Sequence, residues 1–307
     1  MLNFVPELSC GPFKIERDAY SGPCSVRRER LVYMMRFFLL LAAATLHAQD
    51  VGEIVRRSLE HEQWNPKPPR DYVWTEDNED RSFDAAGKVL KTTSQTREVM
   101  AMYDQEYTRL ISKNGKPLSE AQARSEQAKF ENALRKRAHE SPEAKAKREK
   151  AEQKADAEDL LCRTEFGKLF TFKLAGAEAI RERPAWIVDA DAPLDAVAKC
   201  GDNQVARKFH IRLWIDQTDY RWAKVVADSV APLTFGKVLT RMPAGAIHVV
   251  TEEVRMADEQ WVPVRDWQRY DVKLLGLKTL RQEETTVYRE YHKFQTDSRI
   301  LTMGDGK

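Results

Sequence analysis

The feature that most constrains the fold is an alternation of apolar and polar residues between positions 207 and 229. An alternation with a period of two indicates a β-strand with one apolar face. Gln217, Thr218 and Asp219 interrupt the pattern with turn-forming chemistry, and the alternation resumes from Tyr220 to Ala227. The segment therefore predicts a β-hairpin whose apolar face is covered by another part of the protein or by a ligand. The apolar row of the first arm consists of Phe209, Ile211, Leu213 and Ile215.

Residues 34–48 have the pattern of a secretory signal peptide. Arg36 precedes an apolar run, and Ala48 precedes a polar segment; this order is typical of an export signal with its cleavage site. The apolar run is shorter than the roughly twenty residues needed to span a bilayer. A buried helix is the alternative interpretation. No cysteine follows the run, so we predict a periplasmic or secreted protein without a lipid-attachment site.

The predicted signal peptide divides the chain into the segment before it and the domain after it. Residues 1–33 show no periodicity and contain scattered glycine and proline, so we interpret them as a start-site artefact or a disordered extension. We predict one domain over residues 49–294 and a frayed tail over residues 295–307.

Charge and cysteine content narrow the class of protein. The formal net charge is +2, which gives no electrostatic basis for binding nucleic acid. Of the four cysteines, Cys162 and Cys200 lie in the predicted mature domain. Export favours oxidation, so a disulfide between them is expected; two free buried thiols are the alternative.

Most of the domain is predicted to be strands, with two helical segments. Residues 50–62 are predicted to form a short amphipathic helix, with Asp50 as its N-cap and Glu53 three residues on, as in a capping box. Residues 118–161 are predicted to form a charged helical insertion, which Ser119 and Gln122 begin as a capping box. The stretch Glu120–Asp159 carries ten basic and ten acidic residues. We interpret this insertion as a solvated arm with i,i+4 ion pairs; a mobile lid or a partner-binding arm is the alternative. Strands are predicted to resume near Lys168.

The sequence contains no recognisable catalytic constellation. It has no Gly-x-Ser-x-Gly motif, no phosphate-binding glycine loop and no zinc-binding helix motif. His210, His248 and His292 lie on predicted strands and could converge into a metal site, but isolated histidines are more often solvated or singly hydrogen-bonded. We therefore predict no catalytic residues, no metal ligands and no cofactor.

Several short motifs lie along the predicted domain: Asp71–Glu76, Arg109–Ile111, Asn114–Ser119, Arg183–Val188, Leu213–Asp216 with Tyr220–Val225, and Tyr288–Phe294. Together they resemble the outer-membrane lipoprotein-sorting (LolA/LolB-like) carrier family. The charged insertion has no counterpart in the short sorting proteins, so the chain is more similar to a larger secreted bacterial subgroup. The resemblance implies an α+β fold, with a large, strongly bent, unclosed antiparallel sheet and helices on its concave side, enclosing a cavity for acyl chains.

We therefore expect a non-enzymatic carrier for the acyl chains of lipids or lipoproteins, with transient membrane contact and an envelope protein as further partners. The predicted helices provide too little apolar surface to cover a sheet of about ten strands, which leaves an apolar face for a ligand. An ordinary packed core is the simpler interpretation of the same residues. A structural or interaction protein with a dry core, and a hydrolase with an unrecognised site, are the alternative functions. The predicted cavity wall consists of Phe209, Ile211, Leu213, Ile215, Trp186 and Val188.

Overall fold

The computed structural model describes residues 50–62, 72–103, 105–235, 240–274 and 278–293. All of them belong to one compact unit, Asp50–Lys307. The predicted signal peptide (34–48), the segment before it (1–33) and the predicted tail (295–307) lie outside the described residues. Within the described ranges, no helix has the length and apolar character needed to cross a membrane.

The described chain contains four helices, and its strands belong to a single sheet. The helices are α1 (Val51–His61), α2 (Glu120–Ala138), α3 (Pro142–Leu169) and α4 (Gly201–Ala206). The first strands are β1 (Tyr72–Phe83), β2 (Val89–Met102), β3 (Gln105–Lys113), β4 (Lys116–Pro117), β5 (Thr171–Ile180) and β6 (Arg183–Asp191). The others are β7 (Phe209–Asp216), β8 (Trp222–Ser229), β9 (Leu233–Phe235), β10 (Thr240–Met242), β11 (Ile247–Arg255), β12 (Trp261–Leu274) and β13 (Lys278–Lys293).

The strands run in the order β4-β3-β2-β1-β13-β12-β11-β8-β7-β6-β5, with the short β9 and β10 attached beside β12. All described pairings are antiparallel. The two ends of this order, β4 and β5, are not paired with each other. The predicted α+β class with an unclosed antiparallel sheet is therefore confirmed.

One face of the sheet changes from apolar to polar across its width. Residues paired on neighbouring antiparallel strands point to the same face, so the register defines a row that crosses ten strands. The β5–β8 end of this row is aliphatic, and the β12–β2 end is polar. In order from β5, the row is Leu174, Val188, Leu213, Val225, Thr251, Asp266, Thr286, Asn78, Gln95 and Lys113.

The apolar half of this face carries the main core. Helix α1 contributes Ile54 and Val55 to it, and the end of α3 contributes Phe166 and Phe170. Phe166 stacks on Phe170, with ring centroids 4.2 Å apart. A smaller cluster of Tyr72, Trp74 and Val99 lies on β1 and β2. Helix α1 and the end of α3 therefore cover the β5–β8 end of this face.

The predicted hairpin is present as β7 and β8, and its turn is organised by Asp216. This side chain is only 1% exposed and accepts hydrogen bonds from the Thr218 and Asp219 N–H groups. Arg183 donates two further hydrogen bonds, of 2.7 and 2.8 Å. Burial opposes ionisation of Asp216, but these donors outweigh it and hold its pKa below the ordinary value.

The charged insertion differs from its predicted end. Helix α3 continues to Leu169, whereas the sequence predicted the insertion to end at 161 and a strand from Lys168. The extra helical turns place Phe166 in the core, where it is 1% exposed. Burial of this aromatic ring stabilises helix beyond the charged segment. Helix α2 begins with the predicted Ser119–Gln122 capping box.

We expect Leu213→Ala to lower the free energy of unfolding by about 2–5 kcal/mol, because the fully buried side chain would leave a cavity. Val230→Ala is the control, since this side chain is 48% exposed and its loss should cost less than about 0.5 kcal/mol. Urea unfolding monitored by tryptophan fluorescence measures both. Equal losses in the two variants would contradict the assigned core.

Candidate functional site

A cavity of about 550 Å³ lies between α1, the last turns of α3 and the start of β5. This volume is within the range of about 300–1,000 Å³ that is usual for small-molecule sites. Its residues are Gly52, Val55, Arg56, Leu59, Glu60, Leu160, Arg163, Thr164, Gly167 and Phe172.

Helix α1 forms one wall because its sequence is amphipathic. Asp50 caps the helix by accepting a hydrogen bond from the Gly52 N–H at 2.9 Å. The predicted pairing of this cap with Glu53 is replaced by a Glu53–Arg56 ion pair of 2.7 Å. Val55 is buried in the core, and Leu59 packs against the same cluster. The apolar side of α1 therefore forms both the edge of the core and the wall of the cavity.

Helix α3 forms the opposite wall with side chains spaced three and four residues apart, which share one helix face. Gly167 lies where the two helices approach: a Cβ atom at this position would be 2.9 Å from Leu59 Cδ1. Glycine therefore permits the close contact. Leu160, one turn from Arg163, remains 57% exposed at the border of the cavity.

The charged groups that border the cavity are paired with one another or with nearby residues. Arg56 forms ion pairs with Glu53 and Glu60 on its own helix. Arg163 pairs with Asp159 at 2.8 Å and donates to the Leu59 carbonyl oxygen at 3.0 Å. The second contact links α3 to α1. The cavity therefore combines apolar walls with a neutralised rim.

Three consecutive residues at the end of the hairpin turn hold α1 in place. Arg57 donates to the Tyr220 hydroxyl at 2.8 Å and lies 3.9 Å above its ring. Arg221 donates to the His61 carbonyl oxygen. The Trp222 indole N–H donates to the Ser58 hydroxyl oxygen at 3.2 Å. The hairpin thus supports the helix that forms one wall of the cavity.

A buried carboxyl group supports the Arg221 contact from β11. Glu253 is 9% exposed and accepts a hydrogen bond from Arg221 at 3.3 Å. Arg221 also lies 3.5 Å from Glu62. Burial raises the pKa of Glu253, and the Arg221 charge only partly offsets this, while the nearby Asp266 adds to it.

The six residues predicted as a cavity wall lie in the core beneath the cavity. Each is at most 9% exposed, and all belong to the main core cluster. None of them is among the residues that line the cavity. They adjoin Val55, Leu59 and Phe172, which belong to both the cluster and the lining. The six residues are Phe209, Ile211, Leu213, Ile215, Trp186 and Val188.

Sequence reasoning did not identify the lining contributed by α3. Leu160 and Gly167 are seven residues apart, a spacing that places them on one helix face, but the charged surroundings concealed this signal. The predicted insertion ends at residue 161, so the sequence places Leu160 at its border. The contact of this face with α1 depends on tertiary packing that the sequence does not display.

The strand histidines do not converge. His210 Nδ1 lies 2.8 Å from Asp191 Oδ1, and His248 pairs with Asp228. His292 is opposite Val73 on β1. Among the described residues, the one cluster with the spacing of metal ligands is Cys162, Cys200 and Asp202, and its two sulfur atoms are joined in a disulfide.

The disulfide joins α3 to the segment that leads into α4, with Cα atoms 5.2 Å apart. Next to it, Glu165 accepts hydrogen bonds from the Lys199 and Cys200 N–H groups at 2.6 and 2.9 Å. Desolvation works against the charged form of Glu165, but these bonds and one from Asn203 hold its pKa below the ordinary value. The segment before α4 is therefore attached to α3 at several points.

No protein-family model and no curated protein matches the chain. Among solved structures, a domain from Vibrio parahaemolyticus described as an outer membrane lipoprotein-sorting protein is 9% identical; the match covers 83% of this chain and 96% of that chain, with a TM-score of 0.33. A LolA superfamily protein from Nitrosomonas europaea is 10% identical over 81% and 95% of the two chains, with a TM-score of 0.29.

A DUF1329 family protein from Desulfovibrio piger also matches, with 9% identity, coverage of 80% and 93%, and a TM-score of 0.31. At these identities and TM-scores the similarity does not establish a function. The function is therefore argued from the geometry of this chain.

Glu253 gives a prediction for stability against pH. A carboxyl group whose folded pKa is raised above its ordinary value of 4.5 contributes stability that is complete below the unfolded pKa and lost as the pH rises through the folded pKa. Glu253→Gln should remove this contribution. We expect the free energy of unfolding of this variant to fall less than that of the unmodified protein between pH 4.5 and neutral pH, as measured by urea unfolding at several pH values.

The control for this measurement is Glu158→Gln, at an exposed position on α3. This variant should keep the pH dependence of the unmodified protein. An unchanged pH dependence in Glu253→Gln would show that burial does not govern this carboxyl group.

Proposed function

We propose that this protein is an exported, non-enzymatic carrier that binds one apolar chain, such as the acyl chain of a lipid or lipoprotein, in the cavity between α1 and α3. The observation that carries the proposal is the cavity of about 550 Å³, with Val55, Leu59, Leu160 and Phe172 in its walls. Export is supported by the signal-peptide pattern at residues 34–48.

The physical basis is burial of hydrocarbon rather than polar recognition. Each methylene group removed from water contributes about 0.8 kcal/mol, so several methylenes are sufficient for useful affinity. The arginines at the rim already have carboxylate partners. Binding therefore depends on the length of the apolar chain more than on the charge of its head group.

The predicted wall residues have a role in this proposal as a deeper layer. Leu213, Val188 and Trp186 lie in the same cluster as Val55 of α1. A movement of α1 away from the sheet would join this layer to the cavity and lengthen the space for the chain. The hairpin contacts at Tyr220, Arg221 and Trp222 resist that movement.

A single substitution at the cavity border tests the site. Thr164 lines the cavity and is exposed, so Thr164→Trp should fill the space without disturbing the core. We expect the affinity for a fluorescent fatty acid to fall by about tenfold, which corresponds to roughly two lost methylene contacts. Fluorescence titration of the purified protein measures this affinity.

The matched control is Gln153→Trp, which places the same side chain at an exposed position of α3 that does not line the cavity. This variant should bind the probe as the unmodified protein does. Equal affinity in the Thr164 and Gln153 variants would reject the cavity as the binding site.

The alternative function is an envelope protein with a dry core and a partner-binding arm. It is favoured by the first turns of α3, since from Pro142 to Glu158 only Arg148 and Glu152 are even partly covered. The same titration separates the two functions. No uptake of the fatty acid, together with no lipid extracted from the purified protein, would support the arm and reject the carrier.

A further inference from the structure

The two edges of the sheet differ in their protection against pairing with another strand. An edge strand presents free backbone N–H and C=O groups, and proteins protect such edges with very short strands, lysine or proline. The β4 edge consists of Lys116–Pro117 alone. The opposite edge, β5, has ten residues, Thr171–Ile180, with no proline and one lysine. In the described part of the chain, β6 is the only strand that pairs with β5.

The side chains of β5 leave its backbone accessible. Every residue from Lys173 to Ala179 is exposed, and Leu174, on the side of the core, is 36% exposed. Three of these residues are alanines and one is glycine, and such small side chains do not shield the backbone. A further strand can therefore reach this edge.

A β-bulge in the middle of β5 restricts how a second strand can pair along its whole length. Leu174 is opposite Val188 and Gly176 is opposite Ile187, so Ala175 is an extra residue between them. The extra residue shifts the alternation between the two faces by one position. Paired residues of antiparallel strands lie on the same face. A strand with the same bulge therefore fits only when the half before each bulge lies opposite the half after the other.

Full overlap of two antiparallel copies of β5 meets this condition. Thr171 of each copy then lies opposite the partner's Ile180, and the two-fold axis passes between Ala175 and Gly176. The half of each strand before the bulge lies opposite the half after the bulge in the other copy. A dimer with such an axis uses the same surface of both subunits.

The same register sets opposite charges against each other. Lys173 and Glu178 are the only charged residues of β5, and each lies opposite the other residue of the partner. Both point to the outer face, because their partners on β6, Asp189 and Ala185, are an even number of positions apart. Opposite charges on directly opposed residues stabilise an antiparallel pair, and the symmetry provides this ion pair twice.

The apolar residues of β5 also match on the side of the core. In this register Leu174 lies opposite the partner's Ala177, and Phe172 lies opposite the partner's Ala179. The exposed surface of Leu174 would be partly covered. Because Phe172 lines the cavity, the partner's strand would lie beside the cavity wall.

We propose that β5 pairs antiparallel with β5 of a second copy of this chain, in the register that places Lys173 opposite the partner's Glu178. A second copy is the occupant because faces, charges and strand length are all complementary to themselves in this one register. The inference does not depend on the carrier function. One pair of edge strands is smaller than a standard interface, so the dimer dissociates on dilution.

Sedimentation velocity of the purified protein over about a hundredfold range of concentration tests the dimer. We expect a reversible equilibrium between monomer and dimer. Lys173→Glu and Glu178→Lys each set like charges against each other at two symmetric positions, and each should weaken the dimer about tenfold. An equimolar mixture of these two variants should dimerise as the unmodified protein does, because the mixed dimer restores both ion pairs.

The matched control is Lys88→Glu, which makes the same change of charge at an exposed position outside β5. It should dimerise as the unmodified protein does. A protein that stays monomeric at every concentration would overturn the proposal in favour of another occupant of the edge. Unweakened dimerisation of Lys173→Glu, or a mixture of the two variants that stays monomeric, would overturn it as well.

The double variant Lys173→Glu/Glu178→Lys keeps the test decisive if a single variant does not fold. Its two charges are exchanged, so the same register again places a lysine opposite a glutamate. We expect it to dimerise with the affinity of the unmodified protein. A folded double variant that remains monomeric, with folding checked by circular dichroism, would contradict this register.

Discussion

The structure depends on burial of the apolar face of β6 and β7 beneath α1 and the end of α3. Leu213 and Val188 have no exposed surface, and Phe166 covers them from the helical side. The geometry of the candidate site depends on this packing. It brings α1 and α3 close enough for Gly167 to meet Leu59, and it leaves the cavity at the outer edge of the core.

The sequence predicts too little helical apolar surface to cover the whole sheet. In the structure, the face of the sheet that carries the core becomes more polar beyond β11. Beyond β11 the face that continues the core carries Asp266, Thr286 and Asn78 in place of aliphatic residues. Tyrosine hydroxyls satisfy carboxylates there: Tyr288 donates to Asp266 at 2.6 Å. Helix α1 and the end of α3 therefore have to cover only the β5–β8 end of this face.

Patterns among neighbouring residues predicted the helices and strands better than they predicted the cavity. Alternation identified the β7–β8 hairpin, and the Ser119–Gln122 pair identified the start of α2, because both depend on neighbouring residues. The cavity depends on which faces of α1 and α3 meet, and this is decided by Phe166 entering the core. The sequence predicts a strand from Lys168, whereas the helix continues to Leu169, so the sequence does not indicate that Thr164 and Gly167 line a cavity.

The position of β1 between β2 and β13 sets the order in which the molecule can be completed. Tyr72 pairs with Lys293 at one end of this ladder, and Phe83 pairs with Arg281 at the other. Closing contacts across so much intervening sequence is slow, because most of the chain must first be brought together. The β1–β13 ladder therefore cannot form until the last strand has been synthesised. This ladder joins strands β1–β4 to the rest of the sheet, so the joining of these two parts is the last pairing that the topology allows.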